Sequence, residues 1–122
     1  MDKEEFIKAL NDQSERHITP SDWETIMDMS LKRDGDTKKL QIAQEELSEL
    51  IQAISKYMRD TPDSSMLVLE ELADVAIVLS YIQQICGFSL EDLVKAINIK
   101  LEREKKRLDK IEKMDELYGV GY

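Results

Sequence analysis

Met66-Leu67-Val68-Leu69-Glu70-Glu71-Leu72-Ala73-Asp74-Val75-Ala76-Ile77-Val78-Leu79-Ser80-Tyr81-Ile82 is apolar or aromatic except at Glu70, Glu71, Asp74 and Ser80. Its length and its lack of period-2 alternation predict a helix rather than a strand. With Asp74 at the origin of a helical wheel, Glu70 falls at about −40° and Glu71 at about +60°. The three acids therefore share one narrow side of a helix that is otherwise apolar all round. A helix of that kind is expected to be buried on nearly every side, and in a 122-residue chain this points to burial against another subunit. The wheel does not choose between Glu70 and Glu71 as the partner of Asp74.

Upstream, Glu45-Glu46-Leu47-Ser48-Glu49 is a second acidic group, separated from Glu71 by the 21 residues after Glu49. That gap is long enough to finish one helix, turn and climb the next. With Glu46 at the origin, Ile42, Ala43, Leu50, Ala53, Ile54 and Tyr57 lie between roughly −40° and +80°. Glu46 thus points into the apolar face, and Glu49 lies on its edge at about −60°. Glu45 lies at about −100°, among Gln41, Ser48 and Gln52, and is directed to solvent or behind the inward pair. Burying ionised carboxylates without compensation costs several kcal/mol each. Four of them facing one another call for a cation, and an all-oxygen ligand set suits Mg²⁺ or a similar hard ion.

Around these two segments the chain reads as all-α. A short amphipathic helix covers about 3–11, and Thr19-Pro20-Ser21 breaks the pattern. Ser21 with Glu24 is a candidate capping box for a helix from about Asp22 to Arg33. Asp34-Gly35-Asp36 is a turn, followed by a long helix over about 37–59. The segment 60–65 is a loop, and the second long helix runs from about Ser65 to Ile85, closed by Gly87. Ser89 with Asp92 opens a third long helix to about Glu116, and 118–122 reads as a tail. Short connections favour an antiparallel bundle of four to five helices in one domain spanning 1–122.

Composition narrows the function classes. Charged residues make up 35%, with a formal net charge of −9, so a surface that binds nucleic-acid duplex is not expected. Nucleotide binding is not excluded, because a bound metal inverts the local charge. Cys86 is the one cysteine, read as a small buried hydrophobe in a reduced, cytoplasmic setting. The N-terminus lacks an apolar signal core, and the apolar stretch near 75–79 is too short to span a bilayer, so no membrane partner is expected. Trp23 reads first as a structural anchor and second as a ring that could stack on a base. His17 has no second His to complete a His-based metal set and reads as a surface or capping residue.

Glu46-x-x-Glu49 followed by Glu71-x-x-Asp74 resembles the ExxE…ExxD signature of the all-α nucleoside triphosphate pyrophosphatases. That group includes MazG-like proteins, dimeric dUTPases and the phosphoribosyl-ATP pyrophosphohydrolase. Asn98-x-Lys100-Leu101-Glu102-Arg103 is similar to the Asn-x-Lys-aromatic-x-Arg stretch of MazG domains, with Leu101 in place of the aromatic. The resemblance covers about 37–107. It implies a pyrophosphatase-like core over about 37–116; the N-terminal helices over about 1–35 lie outside it, and the all-round apolar second long helix fits a homodimer or homotetramer. The resemblance also implies that Glu46, Glu49, Glu71 and Asp74 hold Mg²⁺ (or Mn²⁺) and carry catalysis. A nucleoside triphosphate would then be cleaved between its α- and β-phosphates to the monophosphate and pyrophosphate. Asn98, Lys100, Arg103 and Lys56 are the candidates for contacting the substrate, since phosphate oxygens left uncovered by metal favour Lys and Arg. On the wheel Asn98 and Lys100 edge the apolar stripe of the third long helix, whereas Arg103 points away from it.

A different class of function remains open at this level: a helical interaction or regulatory module whose acids pair with lysines across helices. The second long helix speaks against it, because it clusters acids on one side with no cation of its own.

Overall fold

The computed structural model describes residues 2–12 and 18–119. It contains five helices in the order α1 (Lys3–Asn11), α2 (Pro20–Asp34), α3 (Asp36–Met58), α4 (Ser64–Cys86) and α5 (Leu90–Tyr118), with no strand among the described residues. Chain contacts divide it into two units, Met1–Cys86 and Gly87–Tyr122. Among the described residues no helix is long and apolar enough to cross a membrane.

The first unit is organised on the α3–α4 hairpin. Gly35 alone separates α2 from α3, at φ +83°, a conformation that glycine adopts without Cβ strain. At the other end α3 stops at Met58, and the chain reverses through Asp60 and Asp63, both left-handed at φ 55° and 58°. Asp tolerates that region better than bulkier residues do. Ala43 and Ala53 on α3 are 2% and 1% exposed, and their small side chains let α4 approach closely. Ala43 forms a buried cluster with Val78 and Tyr81, against which Met27 and Leu31 of α2 and Ile82 and Ile85 of α4 pack. At its start α1 is tied to the α3–α4 loop: Lys3 Nζ donates to the Pro62 carbonyl at 3.1 Å and lies 3.9 Å from Asp63.

Two local readings of the sequence change. Helix α2 begins at Pro20 with Thr19 as its N-cap, two residues earlier than a Ser21–Glu24 box allows. The Thr19 N–H and hydroxyl donate to Asp22 Oδ2 at 3.3 and 2.9 Å, and proline's fixed φ suits the first helical position. Cys86 is exposed at the end of α4 rather than buried. Helix α4 is also less enclosed within this chain than its composition suggests. Leu69, Leu72, Ile77 and Leu79 are between 39% and 51% exposed. The buried residues of α4 are Ser64, Val75, Val78 and Tyr81.

In the second unit, Ser89 caps α5 as its sequence predicts: Asp92 N–H donates to Ser89 Oγ at 3.0 Å, and Ser89 N–H to Asp92 Oδ2 at 2.9 Å. The carboxyl of Asp92 is held below its usual value by those bonds. Helix α5 continues through Tyr118, into the segment read as a tail, and Gly119 follows at φ +60°. Its apolar stripe, including Leu90, Val94, Ile97, Leu101 and Leu108, is exposed. Residues 120–122 of the expected tail, and His17, lie outside the described residues.

Candidate metal and phosphate site

The antiparallel hairpin brings the two acidic segments together because its register matches them. Lys39 of α3 lies over the Tyr81 ring of α4. One turn on, Ala43 meets Val78. Each further turn forward in α3 is a turn back in α4, so Glu46 comes level with Asp74, and Glu49 with Glu71. Glu46, Glu49 and Glu71 each offer a carboxylate oxygen, and these three atoms lie within 4.8 Å of one another. Two of the three residues are half-buried and Glu49 is exposed.

The electrostatics are those of crowded acids, and no lysine or arginine among the described residues is ion-paired with them. Burial first, then the charges of Asp74 and Glu49, push the Glu46 carboxyl up to about 7. Burial, followed by Glu49 and Asp74, does the same to Glu71, also to about 7. Asp74 stands outside the three-atom group but feels it. Its carboxyl is raised by burial and then by Glu49, while a hydrogen-bonding contact with Glu46 pulls the other way. Glu46 Oε2 and Glu71 Oε2 are fully buried and have no hydrogen-bond partner. Ion pairs among the described residues join Lys3 to Asp63, Lys38 and Lys39 to Asp34, and Arg107 to Glu104, and none reaches the four acids.

An orphaned buried carboxylate oxygen forfeits its solvation for nothing, at a cost of about 1–3 kcal/mol or more. Two of them, side by side in an anionic all-oxygen set, match what a hard divalent cation requires. The group could hold such an ion.

The remaining sequence candidates fall as follows. Glu70, not part of the three-atom group, is half-buried and adds to the upward shift of Glu71. Glu45 is exposed and lines, with Gln41, Gln44, Ser48, Glu49 and Gln52, a shallow groove of about 500 Å³ on the outer side of α3. Lys56 is exposed on the last turn of α3. Asn98, Lys100 and Arg103 are all exposed on α5, within the second unit. Trp23 is 56% exposed near the start of α2. One residue that sequence reasoning passed over is Lys39, which is 6% exposed. The signal was present: seven residues before Glu46, it lies at about +20° on the same wheel, inside the apolar face.

The family model for the MazG nucleotide pyrophosphohydrolase domain matches residues 35–108, more than half of the chain. Its span takes in α3, α4 and most of α5, and hence all four acids. Neither the curated proteins nor the solved structures contain a match to this chain. The extent of the family match, over helices that carry the crowded carboxylates, makes this chain a member of the MazG nucleotide pyrophosphohydrolase domain family.

Proposed function

We propose that the protein is a Mg²⁺-dependent nucleoside triphosphate pyrophosphohydrolase, with Mn²⁺ an alternative ion. It would cleave a ribo- or deoxynucleoside triphosphate to the monophosphate and pyrophosphate. One observation carries this reading: two buried carboxylate oxygens without partners, Glu46 Oε2 and Glu71 Oε2, in a group of three acids whose ligand atoms lie within 4.8 Å. Glu46, Glu49, Glu71 and Asp74 are the residues assigned to hold the ion. A bound divalent ion supplies charge neutralisation for the phosphates and a lowered pKa for water.

The chain's own groups have three tasks in this scheme. Burial takes one oxygen each of Glu46 and Glu71 out of bulk water, which strengthens electrostatic interactions there. A carboxylate of the set accepts the proton of the attacking water, a task favoured when its pKa lies near the working pH. Lys56, Lys100 and Arg103 supply positive charge, and Asn98 hydrogen bonds, for phosphate oxygens that the metal leaves uncovered. The exposed leucines and isoleucines of α4 and the exposed stripe of α5 suit a homodimer or homotetramer.

The test is pyrophosphate release from a panel of ribo- and deoxynucleoside triphosphates, with Mg²⁺, with Mn²⁺ and with chelator. Metal-dependent production of pyrophosphate and monophosphate from at least one substrate is expected. Release of orthophosphate instead, or no turnover with any of them, would overturn the assignment.

A further inference from the structure

Lys39 has no part in the chemistry proposed above, yet it is the one Lys, Arg, Asp or Glu that is buried among the described residues. Its ammonium carries three protons, and three groups face it. Nζ lies 2.8 Å from Asp34 Oδ2, donates to Ser30 Oγ at 2.6 Å, and sits 4.7 Å from the centroid of the Tyr81 ring. Ser30 and Asp34 belong to α2, Lys39 to α3 and Tyr81 to α4, so one ammonium joins three helices. The Asp34 carboxyl is held below its usual value, first by its hydrogen bond to Lys39.

Burying a lysine is costly even when it is paired, and an apolar side chain of similar volume often serves stability as well or better. What a buried charge adds is directional: its partners must stand in one arrangement. Here that arrangement is tied to the acids. Lys39 precedes Glu46 by seven residues and Tyr81 follows Asp74 by seven, which is two helical turns, or about 10 Å, along each helix. Ala43 and Val78, both buried, fill the level between. Sliding or rotating α4 on α3 would carry Tyr81 off the ammonium by the same motion that carries Asp74 and Glu71 away from Glu46 and Glu49. Mutual repulsion of the acids favours such a motion before an ion arrives.

We infer that Lys39 is a positioning residue for the metal carboxylates: held by Asp34 and Ser30 and capped by Tyr81, it fixes the α3–α4 register that places Glu46, Glu49, Glu71 and Asp74 around a divalent cation. This rests on the metal-site reading above. The carboxylates are then preorganised, and metal affinity depends on a contact two turns away.

The test is calorimetric titration of the full chain with Mn²⁺, without nucleotide, for wild type, Lys39→Met, Lys39→Arg and Asp34→Asn. Loss of a group that orients ligands typically costs 10-fold or more in metal affinity. Lys39→Met is therefore expected to weaken Mn²⁺ binding by ~10-fold, and Lys39→Arg, which keeps the charge, to recover most of it. A merely structural role would lower the melting temperature and leave the Mn²⁺ Kd unchanged, and that result overturns the inference. If Lys39→Met does not fold, Asp34→Asn decides in its place: a weakened Kd supports the inference and a wild-type Kd sinks it. Mn²⁺ binding by wild type without pyrophosphate release from any triphosphate would defeat the hydrolase reading and leave the positioning role intact. Pyrophosphate release with wild-type Mn²⁺ affinity in the variants would do the reverse. Failure of wild type to bind Mn²⁺ would remove both.

Discussion

Glu49 of α3 and Glu71 of α4 face each other across the hairpin with carboxylate oxygens no more than 4.8 Å apart, and no lysine or arginine among the described residues forms an ion pair with either. Like charges that close raise each other's proton affinity, and the protein keeps them there through the packing of Ala43, Val78 and Tyr81 on one side. The resulting strain is relieved either by protons or by a cation, and the two compete.

That competition fixes a pH dependence that bound metal removes. Glu46 and Glu71 are raised from 4.5 to about 7 in the folded chain, so between those values the folded state binds more protons than the unfolded state. Their contribution to stability is complete below the unfolded value and is lost as pH rises through about 7. Without divalent metal, the melting temperature is expected to fall between pH 5.5 and pH 8. With saturating Mg²⁺ that fall is expected to vanish, so the gain from Mg²⁺ grows over the same interval, because metal binding needs the deprotonated carboxylates. Scanning calorimetry at the two pH values, with and without Mg²⁺, checks both expectations. A metal-free melting temperature that climbs toward pH 8 contradicts the crowded-acid description.

Replacing Asp74 with Asn removes one charge from the crowd and keeps the shape. Pyrophosphate release is expected to be lost, while the metal-free protein melts no lower than wild type. The basis is that burial and Glu49 both disfavour the ionised form of Asp74. A large metal-free destabilisation would show that Asp74 serves the fold instead.

The direction in which each glutamate points can be tested within one motif. Glu46 is half-buried with an orphaned oxygen, and its sequence neighbour Glu45 is exposed. Glu46→Gln is expected to lower kcat/KM by at least ~100-fold, the range seen when a group that stabilises charge at a reacting centre is removed. Glu45→Gln is expected to stay near wild type. Similar losses in the two variants would mean that burial does not govern which acid takes part.

Much of this arrangement is legible from residue pattern alone, for identifiable reasons. Gly35, Gly87 and the Ser89–Asp92 cap punctuate the long helices, so their bounds follow from local chemistry. The wheel separates inward Glu46 from outward Glu45 because α3 has a polar side for contrast. It fails to separate Glu70 from Glu71 because α4 is apolar nearly all round, and only the hairpin register selects Glu71. The Thr19 cap is obscured by Ser21, an equally good capping residue two positions later. Lys39 is hidden by its chemistry: a lysine beside Lys38 on a first helical turn reads as solvated. Its burial becomes visible only when Asp34, Ser30 and Tyr81 come from three helices to meet it.

The spacing of the acids also depends on the smallest side chains in the hairpin. Ala43 is 2% exposed, one turn before Glu46, and sits against Val78 and Tyr81. Adding three methyl-sized carbons there has no free volume to enter, so Ala43→Leu must push α3 and α4 apart. Overpacking of this kind typically costs about 1–3 kcal/mol of stability. Near Glu46 it also widens the separation across which Glu49 and Glu71 must share an ion. The expected result is a lower melting temperature together with a larger fractional loss of Mg²⁺-induced stabilisation than Leu117→Ala produces, a change at a 69% exposed position on α5. Both effects are read in one thermal titration with Mg²⁺. If Ala43→Leu lowers the melting temperature yet gains as many degrees from Mg²⁺ as wild type does, helix separation does not set the geometry of the acids.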